Sequence, residues 1–102
     1  MIDIILVTDK EITALNKEWF HKNRPTDVIA FNYDNKKCGE IYISVDTGKR
    51  QARERGVRLK DELLRLAVHG TAHIEGYDDG DLANFTKMRE REWEMLVKCL
   101  SA

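Results

Sequence analysis

A segment rich in β-branched apolar residues opens the chain, and a helix-start signal follows it directly. The segment extends from Ile2 to Val7 and is typical of a buried strand. Thr8 and Glu11 then have the spacing of a capping box, in which each side chain bonds the other's backbone N–H. Apolar residues recur at helical spacing beyond it, so we predict a helix to about residue 22, ended by Arg24-Pro25. A strand that feeds a helix at once favours a fold in which helices pack on a sheet.

The remaining pattern predicts two more strands and three more helices. The strands are Val28 to Tyr33 and Glu40 to Val45, and their close spacing predicts an antiparallel hairpin. The helices are a short one capped by Thr47 and ended by Gly56, one from about Leu59 to Glu75, and one capped by Asp81. The predicted order is β-α-β-β-α-α-α, in the α+β class.

Composition limits the class of protein. The 102 residues contain 42% hydrophobic and 34% charged residues, so we expect a single globular domain, residues 1–102. The longest apolar run is too short for a transmembrane helix, and we expect no membrane partner. With two cysteines and no signal peptide, a reduced, cytoplasmic protein is the simplest interpretation.

Charge is balanced overall but unevenly placed. Seventeen basic and eighteen acidic residues give a net charge of −1, which excludes a histone-like polycation. Residues 49–60, however, contain six basic side chains and one acidic side chain. This stretch is either a solvated helix face or a phosphate-binding face.

His69 and His73 form the pattern that carries chemistry. Four residues apart on a predicted helix, they differ by about 40° and lie on one face. Two imidazoles so placed can bind one metal ion. A tight site needs a third ligand, which we expect after the turn at Gly76, where Asp78 and Asp79 follow.

Residues 69–79, with the sequence HGTAHIEGYDD, resemble the HGxLHLxGYDH signature of the YbeY family of bacterial rRNA-maturation endoribonucleases. Two earlier segments strengthen the resemblance. PTDVIAF at residues 25–31 is similar to the family's PTDVLSF, and GEIYIS at residues 39–44 is similar to GDIxIS. The resemblance covers residues from about 15 to 97.

This resemblance implies a zincin-like α+β fold, with a mixed sheet packed with helices. It also implies one metal held by three histidines, and cleavage of single-stranded rRNA during maturation of the small ribosomal subunit. Two of those histidines carry over as His69 and His73, while Asp79 occupies the third position. The expected site is therefore His₂Asp. Zinc is the expected ion, with manganese or another divalent ion as the alternative, because a carboxylate is a harder ligand than imidazole.

The chain departs from the family at one further position. The family usually has an arginine after the aromatic residue that precedes PTDV, whereas Phe20 follows Trp19 here. Lys22 or Arg24 would have to replace that arginine. Trp19 itself has core-like spacing, so we expect it to pack inside the protein rather than stack on a base.

Several residues are candidates for catalysis or RNA binding. Glu62 lies seven residues before His69 and within about 20° of it on the helix, so it is either a base or positioning group at the site or an exposed charge. Asp78 is either a base or the cap of a turn, and bound water alone is a third option for the base. The expected RNA-binding residues are Arg24, Lys49, Arg50 and Arg53.

Three functions are compatible with these residues. The leading hypothesis is a metal-dependent endoribonuclease, and the alternative is a non-catalytic RNA- or ribosome-associated binding module with a degenerate metal site. A metalloprotease ranks third, because Gly70 stands where the HExxH motif has its glutamate base. We expect Gly70 to permit close packing of a neighbouring strand instead. The oligomeric state is left open.

Overall fold

The computed structural model of the chain describes residues 2–33 and 38–75 together with Arg91. Its elements are β1 (Ile2–Val7), α1 (Asp9–Phe20), β2 (Val28–Asn32), β3 (Gly39–Ser44), α2 (Val45–Arg55) and α3 (Leu59–Ile74). These six elements have the predicted order, and the α+β class is confirmed. The last predicted helix, from Asp81, lies outside the described residues apart from Arg91.

The described strands form one mixed sheet in the order β1-β3-β2. Strand β1 runs parallel to β3, with Val7 opposite Ser44, and β2 runs antiparallel to β3, with Val28 opposite Ile43. The predicted hairpin of β2 and β3 is therefore confirmed. Helix α3 packs on one face of the sheet, against Ile41 and Ile43.

Helix α1 begins as predicted and ends slightly earlier. The Thr8 hydroxyl accepts a bond from the Glu11 amide and the Glu11 carboxylate accepts one from the Thr8 amide, each at 3.2 Å. At its other end His21 adopts a left-handed conformation, with φ of 59°. The amides of His21 and Lys22 turn back to the carbonyls of Lys17 and Asn16, which ends the helix before Arg24-Pro25 is reached.

Two predictions about the start of α2 are wrong. Val45 belongs to the helix rather than to the third strand, and the N-cap is Ser44 rather than Thr47. The reason lies in α1, where the Asp9 carboxylate accepts bonds from the hydroxyls of Ser44 at 2.6 Å and Thr47 at 2.7 Å. These bonds, and a further one from Arg50 at 2.9 Å, hold the pKa of Asp9 below its usual value. The first turns of α1 and α2 are thereby tied together, and α2 ends at Gly56 as predicted.

The prediction that Trp19 packs in the core is wrong. Its side chain is 59% exposed and contacts the ring of Phe31 edge to face. The core on this side of the sheet is built instead from Val7, Ile12 and Ile29. Trp19 lies in the last turn of α1, near the rim of the sheet, which the apolar spacing alone does not reveal.

Gly70 lies at a point of close approach between α3 and the sheet. A Cβ at this position would lie 2.8 Å from Cγ2 of Ile41, a residue with no exposed surface. The expectation that Gly70 permits close packing of a strand is therefore confirmed. None of the helices in the described part of the chain has the length and apolar content needed to span a lipid bilayer.

We expect Gly70→Ala to destabilise the protein by about 1–3 kcal/mol, because overpacking against Ile41 outweighs the gain in helix propensity. Urea unfolding followed by circular dichroism measures this change. Gly48→Ala is the matched control, since a Cβ at this position would meet only the far ends of two leucine side chains, Cδ2 of Leu63 at 3.0 Å and Cδ1 of Leu59 at 3.7 Å. A Gly70→Ala protein as stable as the wild type would contradict the close approach.

Candidate functional site

A cleft of about 500 Å³ opens between the C-terminal half of α3, strand β2 and the end of α1. Helix α3 contributes its two histidines and Gly70, and β2 contributes the backbone and side chains of residues 28–30. The end of α1 and the segment that follows it supply the polar and aromatic part of the lining, namely Asn16, Phe20, Lys22, Thr26 and Asp27. The predicted histidine pair therefore lies in a concave site.

The two histidines face each other across one turn of α3. Their Nε2 atoms are 3.2 Å apart, and the ring centroids are 4.7 Å apart with the planes nearly perpendicular. Two nitrogen ligands of a tetrahedral zinc ion, each about 2.0–2.1 Å from the metal, are separated by about 3.3 Å. The spacing of His69 and His73 therefore fits two ligands of a single ion. In the absence of metal, one ring can donate a hydrogen bond to the other.

The predicted third ligand, Asp79, lies outside the described residues, and so does Asp78. Among residues 2–33, 38–75 and 91, no group of three histidine, cysteine or acidic side chains is placed to hold a metal. The assignment of Asp79 as ligand and of Asp78 as base stays a prediction.

Glu62 is not brought to the cleft. Its carboxylate is 1% exposed and accepts two bonds from the Arg65 guanidinium, at 3.0 and 2.8 Å, while Arg55 lies 3.4 Å away. Seven residues of helix separate it from His69 by about 10 Å along the axis. The hydrogen bonds from Arg65, aided by the charges of both arginines, lower the pKa of Glu62 despite its burial. A carboxylate so engaged is an ion-pair partner and not an exposed charge, and because it does not line the described part of the cleft, the structure gives no support to its assignment as the base.

Glu75 has a similar role at the far end of α3. Sequence alone suggests only a solvated side chain there, but its carboxylate pairs with the guanidinium of Arg91 at 2.9 and 3.0 Å. Both side chains are about one quarter exposed. Their pairing attaches the end of α3 to the C-terminal region of the chain.

None of the four predicted RNA-binding residues lines the cleft. Arg50 is engaged by Asp9 and Thr47, at 2.9 Å each. Gln51 of α2 contacts the lining of the cleft indirectly, because its side-chain amide donates a bond to the Asp27 carboxylate at 3.2 Å. Lys49 and Arg53 are exposed and lie about 160° from Gln51 around the helix, so they face away from the cleft. Arg24 is exposed in the segment between α1 and β2.

Among the described residues that line the cleft, the lysine or arginine is Lys22. The left-handed turn at His21 places it there, and no glycine marks that turn in the sequence. Asn16, which is 6% exposed, supports the same segment through a bond from its side-chain amide to the Arg24 carbonyl at 2.9 Å. The sequence pattern indicates Lys22 only as a substitute for the family's arginine, and no pattern in the sequence marks Asn16.

A family model described as Endoribonuclease YbeY matches residues 1–99. The chain belongs to the YbeY family. A YbeY endoribonuclease from Thermus thermophilus is 36% identical over 100 residues, which cover 88% of this chain and 72% of that protein. Another, from Anaeromyxobacter dehalogenans, is 39% identical over 99 residues, covering 92% of this chain and 51% of the relative. The Aquifex aeolicus protein is 43% identical over 82 residues, which cover 76% of this chain and 55% of that protein.

The fold has a counterpart among solved structures. The solution structure of TM1509 from Thermotoga maritima is similar to this YbeY chain with a TM-score of 0.65 and 31% sequence identity. The similarity covers 98% of this chain and 71% of that chain. By contrast, the chain spans only about half the length of the Anaeromyxobacter and Aquifex relatives. The predicted family resemblance is confirmed.

The burial of Glu62 predicts a pH dependence of stability. Because its pKa is lower in the folded chain than in the unfolded chain, its contribution is complete above the ordinary value of 4.5 and is lost as the pH falls through the folded pKa. Glu62→Gln is expected to destabilise the protein by about 2 kcal/mol at pH 7, since both arginines can still turn toward water. It is also expected to flatten the decline of the melting temperature below pH 4.5.

Thermal unfolding of wild type and variant between neutral and acidic pH measures both effects. Glu54→Gln is the control, because Glu54 is exposed on α2. If Glu62→Gln and Glu54→Gln had equal effects, the ion pairs of Glu62 would contribute nothing measurable.

Proposed function

We propose that the chain is a metal-dependent endoribonuclease that cleaves single-stranded rRNA in the cytoplasm, during maturation and quality control of the small ribosomal subunit. The observation that carries this proposal is the pair of facing histidines in a cleft lined by Lys22. Family membership supports it, because the relatives are named endoribonucleases.

In this proposal His69 and His73 hold a zinc ion together with Asp79, and manganese is the alternative ion. The ion would supply charge to a phosphate oxygen and lower the pKa of a bound water. The chain's own part is to hold the two imidazoles with their Nε2 atoms 3.2 Å apart and to close one side of the cleft with β2. Asp78 is the remaining candidate for the base, since Glu62 is engaged by arginines.

Two groups of cations are available for the RNA backbone. Lys22 is placed to meet a phosphate at the cleft itself, as an ammonium group that seeks phosphate oxygens. Arg24, Lys49 and Arg53 are exposed farther out and would act on flanking phosphates by long-range attraction. Arg50 is the weakest member of the predicted set because Asp9 already neutralises its charge.

The alternative is a non-catalytic RNA- or ribosome-associated module with a degenerate metal site. Phe20 favours it, since this apolar ring lines the cleft at the position where the family resemblance implies an arginine. An aspartate as third ligand also favours it, because zinc in N- and S-rich sites is held more tightly than in sites with a hard oxygen ligand.

The metal assignment predicts an order of affinities. We expect His69→Ala or His73→Ala to weaken zinc binding by at least about tenfold, and Asp79→His to tighten it by about tenfold. Isothermal titration with zinc at neutral pH measures each variant. His21→Asn is the control, because His21 is the third histidine of the chain and Asn tolerates its left-handed conformation. Unchanged affinity in Asp79→His would contradict a direct ligand role for Asp79.

The substrate assignment predicts that different substitutions affect RNA binding and RNA cleavage. Wild type is expected to bind a labelled single-stranded oligoribonucleotide in a salt-sensitive manner and to cleave it with zinc or manganese. The His69→Ala variant should bind the oligoribonucleotide nearly as well as wild type but should not cleave it. Lys22→Ala should reduce the slope of log K against log salt by about 0.7, the value for one phosphate contact, and Lys49→Ala/Arg53→Ala by up to twice that.

Fluorescence anisotropy across salt concentrations, beside a gel assay of cleavage, gives both readouts. Lys10→Ala is the control, since Lys10 is exposed in the first turn of α1. An unchanged slope in the double variant would mean that the α2 face is only solvated. Binding without cleavage in any metal would favour the non-catalytic module.

A further inference from the structure

Three aromatic side chains are exposed together on the outer side of α1 and the end of β2. Trp19, Phe20 and Tyr33 are 59%, 47% and 53% exposed, and we call them the aromatic platform. Isolated exposed aromatics are ordinary, but a cluster of large apolar side chains usually marks a binding surface. This cluster lies beside a groove of about 430 Å³ that Trp19 and Tyr33 help to line.

A half-buried ring supports the platform from below. Phe31 contacts Trp19 edge to face with 5.6 Å between the centroids, and it lies nearly parallel to Phe20 at 6.3 Å. The ring of Tyr42 also meets Phe31 edge to face, with 5.8 Å between the centroids. The rings of Trp19 and Phe20 are therefore held by packing, while about half of each surface remains open to solvent.

The platform is continuous with the histidine cleft through Phe20. This side chain lines the cleft that contains His69 and His73, and it also lies against Phe31, which lines the second groove. Phe20 and Trp19, which both contact Phe31, therefore connect the cleft to the second groove.

The charged residues around the platform are mostly positive, which suits a polyanionic ligand. Residues 17–24 contain three exposed cations, Lys17, Lys22 and Arg24, against one acid, Glu18. Among the described residues that line the groove, Glu40 is the charged one, and its carboxylate accepts a bond from the Tyr42 hydroxyl at 3.0 Å. The cations attract a phosphate backbone to the rim, and Glu40 keeps phosphates out of the groove itself.

We propose that the aromatic platform binds one or two unpaired bases of the RNA strand whose backbone enters the histidine cleft, by stacking on Trp19 and Phe20. This inference rests on the proposed function, since it assigns the platform to the same substrate. Aromatic rings combined with adjacent cations are the usual means of holding single-stranded nucleic acid without reading its sequence. An apolar peptide would use the rings but not the flanking cations, so RNA is the better occupant.

The test compares stacking with mere apolar contact at one position. Trp19→Phe keeps an aromatic face, whereas Trp19→Leu keeps only apolar volume, and both are expected to fold because the side chain is largely exposed. Val57→Ala is the control, since Val57 is an exposed apolar residue outside both the platform and the cleft. The probes are a labelled single-stranded oligouridylate of about eight nucleotides, within the usual site size, and an abasic strand of equal length.

Wild type should bind the oligouridylate about tenfold more tightly than the abasic strand, which is the effect of one stacked base. Trp19→Leu should lose that preference, while Trp19→Phe and Val57→Ala should keep most of it. Tryptophan fluorescence gives an independent readout, because quenching by the oligonucleotide should disappear in Trp19→Phe although Trp93 remains.

The two proposals fail in different ways. If wild type shows no preference for bases, or if Trp19→Leu binds like wild type, the platform does not stack bases and a protein-docking role replaces it, whether or not cleavage is seen. If wild type prefers the oligouridylate to the abasic strand and Trp19→Leu does not, but no metal supports cleavage, base stacking by the platform is supported and the endoribonuclease proposal fails.

Discussion

Helix α3 can carry a pair of histidines beside the sheet because residue 70 has no side chain. The missing Cβ lets the helix backbone approach Ile41 of the central strand β3, and this contact sets the depth at which α3 lies. His69 and His73 flank that point, so they are held half-buried against the edge strand β2. A bond from the side-chain amide of Asn32 to the Ile74 carbonyl, at 3.2 Å, anchors the same end of the helix to β2.

The two halves of α3 have different tasks. The N-terminal half is fastened to α2, through the burial of Leu63 near Gly48 and through the arginines that surround Glu62. The C-terminal half is left to form the cleft. The charged groups that stabilise the helix therefore lie about two helical turns from the histidines. At that distance the buried carboxylate does not compete with a metal ion for binding to the imidazoles.

This division also explains why part of the basic stretch at 49–60 pairs with acidic side chains of the protein itself. Its charge is partly used inside the protein, since Arg50 pairs with Asp9, Arg55 with Glu62 and Arg58 with Asp61. A count of charges along the sequence cannot reveal these pairs, because the partners of Arg50 and Arg55 come from other elements.

What could be predicted from the sequence depended on local spacing. The capping box of Thr8, the hairpin and the facing of His69 and His73 all follow from separations of a few residues, and each was found. The Ser44 cap was missed because it depends on Asp9, 35 residues earlier. The exposure of Trp19 and the burial of Glu62 were missed because a helical wheel gives a residue's direction but not what covers it.

Phe20 connects these observations to recognition. At the position where the family resemblance implies a cation, this chain has a ring that faces the cleft and lies against Phe31. A ring cannot neutralise phosphate, but it can stack on a base, and Lys22 restores a positive charge two residues later. On our proposal the change therefore shifts part of substrate binding from charge to stacking. Stacking is insensitive to base identity and less sensitive to salt than a phosphate contact, so such a chain would hold RNA through unpaired bases where a charged homologue relies on the backbone.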